Sequence, residues 1–299
     1  MISIIAVSTG AEENRLIKST LDAGGLDRTY ELFIPSEGKT AGPCPLVVVL
    51  HGADGCGAAM REFLGFNRLA ERDGFMILYP DASGPLWNDG RVDLNSPSYR
   101  NSIDDVDFIT RLVAYIVDQH GGDPERVYMA GFSNGGMMAL RMGLEAPEMI
   151  AAVASVSGTL PRQIARRERR PAVPMLLIHG TEDRTVPWRG GRLVRRKKNH
   201  GEVLSVLDTL LFWAWNNGCA GRAGVAPMPE FNGGTGTRSY RLSYECGDPS
   251  RETVLVAIQG GGHYWPGAAM RDANGPAVSD GGENATELIW QFFLSHRRK

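Results

Sequence analysis

An α/β fold, with a mostly parallel central sheet and helices on both faces, is what this sequence predicts, and three observations predict it. Apolar runs bounded by Gly or Pro alternate along the chain with stretches of helical spacing. Most of these runs are continuously apolar, as strands buried on both faces are. One segment, residues 29–34, alternates more cleanly and suits an antiparallel edge strand.

The elements follow in order. Residues 46–50, 75–79, 127–130, 150–156, 175–178 and 254–258 read as buried strands. Val106, Ile109, Leu112, Val113 and Ile116 fall at helical spacing, and 203–215 and 285–293 behave likewise. Residues 134–144 directly follow a strand and are rich in Met, Ala and Leu, which suits a buried helix. The Gly- and Pro-rich stretch 218–236 reads as a long loop, with strand-like residues 238–245 after it. No repeat or low-complexity linker divides the chain, so residues 1–299 are expected to form one domain.

Hydrophobic residues make up 42% of the 299, enough for a sizeable core. A net charge of -2 gives no electrostatic case for nucleic acid as a partner. The basic cluster 192–198 reads as a solvated loop or helix face. No apolar run reaches the ~20 residues of a membrane span. Residues 1–7 lack the basic and apolar regions of a signal peptide, which leaves a cytoplasmic location open. Cys44, Cys56, Cys219 and Cys246 form no CxxC pair, so no metal site is expected.

The chemistry begins at Gly131-Phe132-Ser133-Asn134-Gly135, a G-x-S-x-G pattern. It lies between a strand and a helix, the setting of a nucleophile elbow, and this specifies the α/β-hydrolase fold. A serine needs a base, and the base needs an orienting acid. In this fold they follow in the order Ser, acid, His. His200 lies in the basic run and His296 at the charged C-terminal end of the last helix, which leaves His263, after Gly260-Gly261-Gly262, as the base. Asp183, just past strand 175–178, is the expected acid; its neighbour Glu182 satisfies the spacing equally. The oxyanion donors are expected to be the backbone N–H of Asn134 and that of Ala53, in the loop after His51-Gly52, with His51 itself structural.

Together with Tyr79-Pro80-Asp81, Trp87-Asn88, Asp104-Asp105-Val106, Val186-Pro187 and Trp265-Pro266-Gly267, these motifs resemble the polyhydroxybutyrate depolymerase and feruloyl esterase group related to carbohydrate esterase family 1. The resemblance runs from Tyr30 to Phe293. It implies a serine esterase working through an acyl-enzyme, without cofactor, on feruloyl or acetyl polysaccharide esters or on a hydroxyalkanoate polyester. The substrate is thus a small or polymeric ester. The resemblance also implies the triad Ser133, Asp183 and His263, a Cys219–Cys246 disulfide, and an extracellular or periplasmic location. Cys44 and Cys56 flank an extended strand and should stay free. Trp87, Trp188 and Tyr264 are candidate substrate contacts, whereas Trp265 should pack under its loop. Two rivals stay open: a peptidase or acyltransferase on the same fold, and a non-catalytic binding protein.

Overall fold

The computed structural model describes residues 15–36, 42–166, 168–195, 197–221, 223–229, 231, 237–244, 246–268 and 284–298. The ordered elements, in chain order, are strands β1 (Arg15–Ala23), β2 (Leu26–Ile34) and β3 (Cys44–Leu50), helices α1 (Gly57–Phe63) and α2 (Phe66–Asp73), β4 (Met76–Pro80), α3 (Pro97–Arg100), α4 (Asp105–His120), β5 (Gly122–Phe132) and α5 (Asn134–Glu145). There follow β6 (Ala152–Val156), β7 (Met175–Gly180), β8 (Gly191–Arg195), β9 (Lys198–Val203), α6 (Val206–Asn216), β10 (Gly224–Pro227), β11 (Arg238–Tyr244), β12 (Thr253–Gln259) and α7 (Ala285–Leu294).

Ten strands form one sheet in the order β1-β2-β4-β3-β5-β6-β7-β12-β11-β10. The run from β4 to β12 is parallel, and an antiparallel pair flanks it on each side. The period-two geometry of β3 sends Leu46, Val48 and Leu50 to one face and Val47 and Val49 to the other. On the first face they meet α4 (Phe108, Leu112), α5 (Leu140) and α6 (Trp213). On the second they meet α2 (Phe66) and α7 (Trp290, Phe293). Burial on both sides is why these strands read as unbroken apolar runs. Helix α4 starts where Asp104 Oδ1 accepts the Asp107 N–H at 3.0 Å, and ends at Gly121 in a left-handed conformation, so both its boundaries have local causes.

Some expectations need correction. Segment 29–34 is antiparallel but not an edge, because β1 covers it. Helix α6 begins at Val206, not 203: Ser205 accepts the Asp208 N–H and caps it, while Val203 belongs to β9. The basic cluster is neither loop nor helix face but the hairpin β8–β9. The stretch 218–236 contains β10, which pairs with β11. Cys219 and Cys246 are bridged, whereas Cys44 is buried and Cys56 exposed as free thiols.

Candidate active site

Strand β5 runs straight into α5, and the turn between them leaves no room for a Cβ two residues before or after Ser133. A Cβ on Gly131 would lie 2.2 Å from Gly135 O, and one on Gly135 would lie 2.3 Å from Leu50 O. Ser133 itself has φ 54 and ψ -117, a strained backbone for a residue with a Cβ. It is held there because its N–H donates to Val156 O at 2.8 Å and its C=O accepts the Met137 N–H at 2.9 Å.

The structure brings three predicted residues into one chain of hydrogen bonds. Asp183 Oδ2 and His263 Nδ1 are 2.7 Å apart, and His263 Nε2 lies 3.1 Å from Ser133 Oγ. With Nδ1–H donating to the carboxylate, Nε2 is the free acceptor for the serine proton. Asp183 Oδ1 meanwhile accepts the Thr185 and Val186 N–H groups, both at 2.8 Å. All this fixes the carboxylate before the histidine meets it. Glu182 is exposed, and its N–H donates to Gly261 O at 2.8 Å, tying the acid's loop to the base's loop. Position therefore separates two acids that spacing alone left equal. The Phe132 ring packs 5.0 Å from the His263 ring and closes one side of it.

Beneath the acid lies His179, which the sequence reading passed over. It is buried, its Nε2–H donates to Val186 O at 2.9 Å, and it sits 3.5 Å from Asp183 Oδ2. Burial pushes its imidazole below the usual histidine range, so it stays neutral and leaves the carboxylate charge to His263.

On the opposite side, Ala53 is half-buried in the loop after β3. The next two amides are engaged: Asp54 N–H donates to Pro85 O at 2.7 Å and Gly55 N–H to Gly52 O at 3.1 Å. Asn134 opens α5, where the first amides have no intrahelical acceptor. The Asn134 side chain is committed to a neighbouring loop. Its Oδ1 accepts the Trp87 N–H at 2.8 Å, and its Nδ2 donates to Trp87 O at 3.2 Å and to Asp89 Oδ2 at 2.5 Å. Asp89 also pairs with Arg91 at 2.7 Å, both buried.

Trp87 does not offer its ring to a substrate. It is 1% exposed, its Nε1–H donates to His51 O at 2.9 Å, and its ring packs 5.0 Å from that of His51. It is a strut between the Ala53 loop and the start of α5. His51 is structural as expected: its Nε2 accepts the Ala82 N–H at 3.0 Å, so Nδ1–H donates to Gly52 O at 2.8 Å. Trp188 and Tyr264 are half-buried, with Trp188 edge-on to His179 at 6.2 Å. Trp265 is buried, its Nε1–H donating to Thr286 Oγ1 at 3.0 Å. His200 and His296 stand apart from the triad, on Asp93 and Glu252 respectively. Among the described residues no group of three His, Cys, Asp or Glu side chains is placed to hold a metal. None of the described helices is long and apolar enough to cross a membrane.

The Asp89 and Arg91 pairing had no signal in spacing, but their place directly after Trp87-Asn88 puts them beside a motif already singled out.

Comparison with known proteins gives the chain a family and the fold its relatives. The family model described as esterase PHB depolymerase matches residues 28–186, just over half of the chain. NocK of Nocardia uniformis subsp. tsuyamanensis, which carries the name of an esterase, is 32% identical over 260 residues, spanning 82% of this chain and 73% of its own. Feruloyl esterase B of Piromyces equi is 28% identical over 226 residues, 73% of this chain but only 39% of that longer protein. Among solved structures, the acetyl xylan esterase from Aspergillus awamori superposes with a TM-score of 0.61 over 84% of this chain and 94% of its own, at 18% identity, a likeness of fold.

Proposed function

Because the chain belongs to the esterase PHB depolymerase family and is a carboxylic ester hydrolase of the α/β-hydrolase fold, we propose that Ser133 is its nucleophile, His263 its general base and Asp183 the acid that orients the base. The observation that carries the reading is the unbroken hydrogen-bond chain Asp183–His263–Ser133 ending on a strained elbow. His263 Nε2 takes the Ser133 proton as Oγ attacks the ester carbonyl. The negative charge moves onto the carbonyl oxygen, where the Ala53 and Asn134 amides receive it; such a donor is typically worth about 3 kcal/mol. His263 then gives its proton to the leaving alcohol, and the acyl group stays on Ser133. Water repeats the steps, releasing the acid and restoring the serine. Asp183 remains ionised and holds the tautomer.

The family and the curated relatives support a feruloyl or acetyl ester on a polysaccharide, or a hydroxyalkanoate polyester, as the substrate, with Trp188 and Tyr264 beside the acyl or alcohol group. Burial pushes the Tyr264 phenol up to about 12, so it meets substrate as a neutral hydroxyl. The disulfide supports an extracellular or periplasmic place of work, where such bonds persist. Methyl ferulate, acetylated xylan and hydroxybutyrate oligomers, assayed in parallel with a peptide anilide, test this reading. Hydrolysis of one or more of the esters, lost in Ser133→Ala, is expected. Turnover of the anilide alone would replace the esterase with a peptidase.

A further inference from the structure

Seven of the fifteen residues from 184 to 198 are Arg or Lys, and none is Asp or Glu. In a chain of net charge -2 this is a local feature, not a global one. The segment begins one residue after Asp183 and leads into the hairpin β8–β9. Leu193 points inward and packs with Val203, with Val186 from the Asp183 loop and with Met137 of the nucleophile helix. The alternation of a strand then turns Arg192 and Val194 outward, where both are exposed. At the far end Arg195 forms an ion pair with Asp54, the residue after Ala53. The hairpin thus runs along the rim of the candidate active site, from the acid's loop to the expected oxyanion loop.

The rim is held in place from behind. Arg91 donates to His200 O at 2.9 Å, Asn95 Nδ2 donates to Asn199 O at 2.6 Å, and His200 pairs with Asp93 at 2.8 Å. The one acid within the hairpin's strands is Glu202 of β9, and it is engaged with Arg162 at 3.2 Å. Arg184, Arg189, Arg192 and Lys197 are exposed, and no carboxylate among the described residues forms an ion pair with them. A row of like charges on a fixed support, kept without internal partners, is the electrostatic complement of an extended anion.

We propose that this rim binds a polymer carrying carboxylates at intervals, that is, an acidic polysaccharide built partly of uronate units, whose ester reaches Ser133. Guanidinium groups bind carboxylates bidentately, so Arg189 and Arg192 select for spaced carboxylates over neutral sugars. The proposal deepens the serine-esterase reading and rests on it for what happens at Ser133, though not for the binding itself.

The test uses full-length Ser133→Ala protein, which leaves the polymer intact. Binding to polygalacturonate and to neutral arabinoxylan is measured at low and high salt, with and without Arg192→Gln and Lys197→Gln together. We expect binding to polygalacturonate only, weakened about tenfold by high salt and about fivefold by the double variant. Circular dichroism of the variant checks that its fold is unchanged. Equal binding to both polymers, or affinity indifferent to salt and to the substitutions, overturns the proposal. So does tighter binding to phosphatidylglycerol vesicles or to single-stranded DNA, which would assign the charge to another class of partner. Failure of the parent reading shows separately: p-nitrophenyl acetate hydrolysis would survive in Ser133→Ala, whatever the polymers do.

Discussion

Asn134 stands next to the nucleophile in sequence, yet its side chain is bound to Asp89, 45 residues away, by a 2.5 Å hydrogen bond. That bond ties down the residue whose backbone amide is proposed to receive the oxyanion. Asp89 in turn is charge-balanced by buried Arg91. Asp89→Asn is expected to lower kcat about tenfold with little change in KM, the signature of a contact made only in the transition state. A thermal melt on the same variant should show lost stability, since Arg91 keeps its buried charge without its partner. A rise in KM with kcat intact would mean that Asp89 shapes the substrate pocket instead.

The triad separates the two neighbouring acids. Asp183→Asn should reduce kcat by roughly 10⁴, through loss of the histidine tautomer. Glu182→Gln should leave kcat within about twofold, because an exposed side chain off the hydrogen-bond chain changes little. The reverse ranking in steady-state assays would move the acid to Glu182.

His51 and His179 are both buried, and burial pushes both imidazoles below their ordinary value. Their folded-state affinity for protons is therefore weaker than in the unfolded chain. Between the two values the unfolded state binds more protons, so stability is greatest above about pH 6.5 and falls as the pH drops below it. Thermal midpoints measured across that range should decline on acidification, and less steeply in His179→Gln. An identical slope in the variant would remove His179 from the explanation.

Reducing the Cys219–Cys246 bridge, whose partners are 27 residues apart, should cost about 3.5 kcal/mol in the chain-entropy model. For a chain of 299 residues that corresponds to a fall of about 5 °C in Tm. Calorimetry with and without reductant measures it, with Cys246→Ser as the control. An unchanged midpoint would mean that the native packing of this segment holds without the bond.

The parallel strands and the elbow were legible in the sequence because each has a strong local signature: β3 is apolar at every position but Cys44 and Pro45, and Ser133 sits between obligatory glycines. His263 was reached by order along the chain. What escaped was half-exposed and weakly patterned. Strand β1, with the consecutive polar residues Lys18, Ser19 and Thr20, and the hairpin β8–β9, with only Leu193 and Val203 as buried apolar residues, carry too little apolar pattern to announce a strand. Trp87 was misjudged for a different reason. Nothing in a tryptophan's own neighbourhood says whether its ring is covered, and here the ring lies against His51, which is distant in sequence.

Among the described residues the ten-stranded sheet ends at β1 and β10, and a sheet edge is a template on which another chain could lay a strand. At one rim β1 carries Arg15 and Lys18, the latter paired with Glu31 of β2 at 2.7 Å, so a docking strand would meet a charged border. At the other, β10 is only four residues long, exposed throughout, and ends in Pro227, which has no N–H to donate. The sheet is blunted at both ends against fibrillar growth. Association of copies at high concentration is therefore expected to be set by these two borders more than by the well-packed centre that holds the proposed triad.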